Sequence, residues 1–232
     1  MSWLDFREPF SAWSHAAGFM LALPGTVLLW GRSSGSTFAK RVSVLIFGLS
    51  LAFCYAASTI YHGSRVPEGG LSVLNRLDHV GILVLIAGSY TPLVGNLMRG
   101  WWRRGVLLSV WLVAAAASGA LLLGGSVPLL GITGLYLMMG WGIVVCYSEL
   151  ARVVSHRALR PLVTGGLLYS TGAALNALRL PRLWPETFGS HELFHLFVLA
   201  GSLSHYRLIL NVVIPIGSRA GADLTWPNEK SI

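Results

Sequence analysis

Seven long apolar stretches run through this chain, and no other feature restricts its fold as much. A membrane-spanning helix needs about 20 apolar residues, each adding about 1.5 Å of rise. Segments 14–31, 42–62, 77–97, 105–124, 127–148, 162–179 and 194–216 qualify. Lys40-Arg41, Arg103-Arg104 and "RVVSHRALRP" separate several of them, and "GGSVP" reads as a tight turn between the fourth and fifth. The sixth is the weakest, short and with Asn176 inside it. Only 11% of the 232 residues are charged, against about 25% in a soluble domain. That is too little charge to coat a water-exposed surface. The chain therefore reads as an all-α integral membrane protein, a seven-transmembrane-helix bundle over residues 1–217 with a disordered polar tail, 218–232.

Several other classes fall away. The two cysteines, Cys54 and Cys146, both lie in apolar runs, which argues against a disulfide framework. The opening "MSWLDFREPFSAWSH" has no cleavable signal pattern, so the first apolar segment is expected to stay. A net charge of +8 could suggest nucleic acid, but the basic residues are scattered between apolar runs, so no nucleic-acid partner is expected. Their distribution orients the chain instead. Arg32, Lys40, Arg41, Arg99, Arg103, Arg104, Arg152, Arg157, Arg160, Arg207, Arg219 and Lys230 fall in the 1–2, 3–4 and 5–6 loops and the tail, twelve of the seventeen basic residues. The positive-inside rule then puts the N-terminus outside and the C-terminus in the cytoplasm.

Four polar positions meet under this count. His62 closes the second span, Asp78 opens the third, and His191 and His195 open the seventh. In an up-and-down bundle of seven these points share one face, with His15 at the start of span one. Ionisable residues inside a membrane mark a functional site by default. His191 and His195, at i and i+4, project from one helical face. A third histidine from another helix would suit Zn2+ and leave its fourth tetrahedral position open for water, the arrangement of a catalytic site. His62, His191 and His195 are the expected metal ligands. Asp78 could bind the metal itself or hold the water and accept its proton. Ser58, four residues before His62, could hydrogen-bond the aspartate or the water.

Blander roles suit the other polar residues. Interfacial histidines often only cap carbonyls or face headgroups, and an HxxxH at a helix end is by itself a weak signal. His205 and Arg207 fit packing or snorkelling. His79 points about 100° from Asp78, His156 sits in a basic loop, and Glu192 points away from the His191/His195 face. Glu149 reads as an interfacial charge, Trp101-Trp102 as an aromatic belt, and "LIAGSYTP" as a close-packing stretch.

The motifs "ASTIYH", "RLDHVGILVLIAGSYTPL" and "HELFHLFVLAGSLSHY" resemble the hemolysin III proteins, the bacterial branch of the progestin and adipoQ receptor family. "REPFSAWSHAAG" resembles that family's opening Glu…His element more loosely, through Glu8 and His15. The match runs in order from about residue 8 to 212. It implies seven membrane helices, zinc on His62, His191 and His195, Asp78 placed by a zinc-bound water, and Ser58 close by. It also implies a link to the adiponectin receptors, which are associated with ceramide hydrolysis. Those receptors have a cytoplasmic N-terminus and a cytoplasm-side zinc, the reverse of the orientation that the charges give here.

Three functions follow as expectations. The first is an intramembrane zinc-dependent hydrolase of a membrane lipid amide or ester, ceramidase-like, in which the zinc-bound water attacks the carbonyl and Asp78 and Ser58 assist. The second is a zinc-stapled membrane receptor or sensor. The third, a pore-forming hemolysin, lacks an amphipathic segment to convert. A bacterial inner membrane is the expected location.

Overall fold

A computed structural model describes residues 6–124, 128–181, 183–184 and 188–216. The polar tail, and most of the turn at "GGSVP", lie outside these residues. Among the described residues the regular structure is helical, apart from one bridge between Trp184 and Phe188.

The helices are α1 (Pro9–Arg32), α2 (Phe38–Gly63), α3 (Glu68–Leu97), α4 (Gly100–Leu122), α5 (Leu129–Trp141), α6 (Tyr147–Ala151), α7 (Arg160–Leu178) and α8 (Ser190–Leu208). A 3-10 turn, Gly142–Cys146, joins α5 to α6 so that Leu129–Ala151 forms one span. A π turn, Ile209–Val213, prolongs α8. Among the described residues six helices are long and apolar enough to cross a membrane: α1, α2, α3, α4, the α5–α6 unit and α8 with its extension. Helix α7 is not among them, which departs from the expected seven. Its Thr164, Tyr169, Ser170, Thr171 and Asn176 dilute the apolar run, and three of these bond to neighbours. Tyr169 pairs with Ser202, Ser170 accepts from Trp141 Nε1, and Asn176 faces His191.

Helices α1 to α4 begin earlier than the apolar runs do, α3 by nine residues, because polar residues continue each helix past its greasy segment. Their ends follow local chemistry. Pro9 starts α1 where a missing N–H costs nothing. The Thr37 side chain accepts from Lys40 N at 3.3 Å to cap α2. At α8, Glu192 reaches back to accept from Gly189 N at 2.8 Å, so the residue that points away from the histidine face sets the start of their helix.

Contacts fix the directions. Lys40, at the start of α2, donates to the carbonyls of Val213, Ile214 and Ile216 beyond the end of α8. His62, at the far end of α2, meets His191 at the start of α8. Helix α7 runs antiparallel to α8 along its length, from Pro161 beside Ser204 to Asn176 beside His191. Helices α2 and α3 touch closely at Gly81, where a Cβ would come 2.9 Å from Cys54 Cα. That approach brings Asp78, one turn earlier on α3, toward His62, two turns later on α2.

Candidate metal centre

Four helices bring the histidines and Asp78 into one layer. His15 comes from α1, His62 from α2, Asp78 from α3, and His191 and His195 from α8. His15, His62 and His195 are 4%, 1% and 2% exposed. His191 Nε2 lies 3.4 Å from His62 Nε2 and 3.2 Å from His195 Nε2. The ligand atoms of these three rings all lie within 4.8 Å of one another, a grouping that could hold a metal ion.

The second nitrogen of each ring faces an oxygen. His62 Nδ1 pairs with Glu8 Oε2, His191 Nδ1 lies 3.4 Å from Asn176 Oδ1, and His195 Nδ1 lies 3.5 Å from the Ser14 hydroxyl. A carboxylate and an amide oxygen can only accept, so they favour the proton on Nδ1. In neutral rings that turns the Nε2 lone pairs of His62 and His191 toward each other, 3.4 Å apart. A cation between them would satisfy both, so the donor set fits a metal. Glu8 stands just outside α1. Burial alone would raise its pKa, but the hydrogen bond and charge of His62, with Arg7 beside it, hold it below the usual carboxylate range.

Asp78 is not one of this group. Its Oδ2 lies 3.7 Å from His62 Nε2. The Ser58 hydroxyl and both ring nitrogens of His15 are buried without a hydrogen-bond partner. His15 stacks on His195, with centroids 3.9 Å apart and planes 26° from parallel, and meets Tyr55 edge-on at 5.1 Å. Asp78, Ser58 and His15 line a cavity of about 550 Å³. From the histidine layer it runs down between α3, α5, α7 and α8 past Ile82, Ile86, Val198 and Leu208.

The histidines outside the layer have other partners. His205 lies over Gly165 and meets the Leu162 carbonyl at 3.4 Å. His79 Nδ1 lies 2.9 Å from the Tyr136 hydroxyl and tethers α3 to α5. His156 meets the Tyr147 hydroxyl at 2.9 Å, and Glu149 pairs with Arg152. Ser14 and Asn176 went unmarked as parts of the site in the sequence. A usable signal existed for Asn176, since a polar residue inside a span faces the protein interior.

These features define a class, a multi-pass helical membrane protein with a largely buried three-histidine cluster at one end of its bundle. The chain belongs to the Haemolysin-III related family, whose pattern matches residues 5–206. It is 30% identical to Hemolysin-3 of Bacillus cereus over 213 residues, covering 91% of this chain and 94% of the relative. It is 31% identical to the Hemolysin-3 homolog of Bacillus subtilis (strain 168), covering 88% and 93%. The adiponectin receptor protein of Drosophila melanogaster is 28% identical over 86% of this chain and 49% of its own length.

Proposed function

We propose that the protein is an intramembrane zinc-dependent hydrolase of a lipid amide or ester. One observation carries this reading: Asp78, outside the three-histidine group, faces the cavity that opens from it. Zinc suits the donors. Zn–N bonds of about 2.0–2.1 Å at tetrahedral angles place ligand nitrogens about 3.3 Å apart; two of the three pairs here are 3.4 and 3.2 Å apart, and all lie within 4.8 Å. When bound, zinc lowers the pKa of water toward about 7 and polarises a carbonyl.

The chain's own residues supply the rest. The apolar wall formed by Ile82, Leu85, Ile86 and Val198 holds an acyl chain and keeps water out of the lower cavity. Its volume falls within the range of about 300–1,000 Å³ usual for ligand sites. Asp78 accepts a proton from water placed beside it and later returns it to the leaving group. Ser58, with its free hydroxyl, hydrogen-bonds that water or the substrate carbonyl. In this reading α7 also crosses the membrane, which makes seven crossings. The chain sits in a bacterial inner membrane with its histidine layer outside and its C-terminus in the cytoplasm.

The test is hydrolysis of a panel of N-acyl and acyl-ester lipids by the zinc-loaded protein in detergent. Turnover is expected with wild type and should fall by about 10²–10⁴-fold in Asp78→Asn, the usual weight of a general base. A fully loaded wild-type protein that hydrolyses nothing in the panel favours the second reading, a receptor or sensor whose helices are stapled by metal. The name of the Drosophila relative supports that alternative.

A further inference from the structure

Three imidazoles present Nε2 lone pairs to one cation only if each carries its proton on Nδ1. We propose that Glu8 imposes this state on His62, that Asn176 does the same for His191, and that these acceptors set the affinity of the centre. The inference rests on the three histidines holding a metal.

The hold on His62 is the firmest. Its Nδ1 meets the Glu8 carboxylate, and its backbone carbonyl accepts from Glu8 N at 2.9 Å. Arg7 pairs with the other Glu8 oxygen at 2.8 Å and donates to the Tyr61 carbonyl at 3.0 Å, with its guanidinium 4.5 Å from the Tyr61 ring centre. Arg65 reaches the Phe6 carbonyl at 3.3 Å. The carbonyls at the end of α2 lack partners within the helix, and Arg7 and Glu8 dock there because they supply donors to Tyr61 and His62, while Phe6 accepts from Arg65. The docked strap places a carboxylate on Nδ1 of the terminal histidine.

The three acceptors are unequal. Glu8 is a carboxylate paired with Arg7 at 2.8 Å, and a charge-assisted bond is about twice as strong as a neutral one. Asn176 is neutral and at 3.4 Å. Ser14 is 3.5 Å away and its hydroxyl can donate as well as accept, so it sets no tautomer. Affinity losses should therefore rank Glu8, then Asn176, then Ser14. Carboxylates behind metal-binding histidines typically contribute about 10–100-fold in affinity.

The experiment is competition between the full-length protein in detergent and a chromophoric chelator for Zn2+, for wild type, Glu8→Ala, Glu8→Gln and Asn176→Leu. Glu8→Ala should bind about 10–100-fold more weakly. Glu8→Gln, which keeps a neutral acceptor, should fall between it and wild type, and Asn176→Leu should lose less than Glu8→Ala. The Co2+-loaded protein should show shifted visible bands in Glu8→Ala, which a mere loss of strap docking would not cause. Wild-type affinity in Glu8→Ala overturns the proposal, as does a Glu8→Gln loss equal to that of Glu8→Ala, which would make charge alone the determinant. If Glu8→Ala does not fold, the Gln variant decides: wild-type affinity there overturns the proposal. A wild-type chain that binds no metal refutes the metal reading itself, a separate and recognisable result.

Discussion

His62 stands between two carboxylates, Glu8 at Nδ1 and Asp78 at 3.7 Å from Nε2. The two acids thus have different prospects. Glu8 meets the nitrogen that faces away from the other imidazoles, while Asp78 borders the side where they converge.

From this follows the first prediction. Asp78→Asn should keep about one zinc per chain, with a smaller affinity loss than any of the three histidine variants, when measured by metal analysis. An experimental structure of the zinc-loaded protein should place the Asp78 oxygens beyond the bonding distance of about 2.0–2.2 Å. A direct bond would fill the fourth position and leave only the staple reading.

Removal of any one ligand should be severe. His62→Ala, His191→Ala and His195→Ala should each sharply reduce zinc content, because a three-histidine site loses much of its affinity with one donor gone. His205→Ala should retain the metal, since its ring is engaged with Leu162 and Tyr169. Equal loss in that variant would mean that the wrong histidines have been chosen.

His15 allows a stability test. Its two ring nitrogens are buried without protein partners, and an unsatisfied buried polar group costs about 1–3 kcal/mol. His15→Phe keeps an aromatic ring against His195 and Tyr55 while removing those nitrogens. Thermal melts of chelator-treated protein should show it at least as stable as wild type, and His15→Ala, which leaves a cavity, less stable. A lower midpoint for His15→Phe than for His15→Ala would refute this account of the ring.

At the opposite end, Lys40→Met should destabilise the bundle by about 1–3 kcal/mol, because the carbonyls of Val213, Ile214 and Ile216 lose their common donor. Zinc affinity should not change, since His62 follows Lys40 by 22 positions on α2, which places them about 33 Å apart. A large change in zinc binding would show that the two ends are coupled.

Topology can be read from reporters fused to the C-terminus. A cytoplasmic C-terminus is expected from the twelve basic residues on that side. A reporter active only outside the cytoplasm would reverse the bundle and put the histidine layer inside the cell.

The sequence by itself determined the solvent, the helical class and the layer in which the candidate site residues are expected to meet. Hydrophobic length reports spans directly, and seven alternating crossings, the count expected from the sequence, would bring the end of α2 and the starts of α1, α3 and α8 to one face. On that expectation His62, Asp78, His191 and His195 share a layer, and the structure places them in one. Only the tertiary structure decided how they face one another. Asn176 looked like a flaw in a weak span, yet it sits against His191. Glu192 looked idle, yet it caps the helix that carries two of the histidines. His15 stacks on His195, and Glu8 reaches His62 from outside the first apolar run. Apart from the Glu192 cap, which is local, such pairings depend on helix rotation and on contacts between residues 15 to 181 positions apart, and apolar helix faces carry no code for either. Hydrophobicity is nearly uniform along a greasy span, so the partner of each ring nitrogen is settled only when the helices pack.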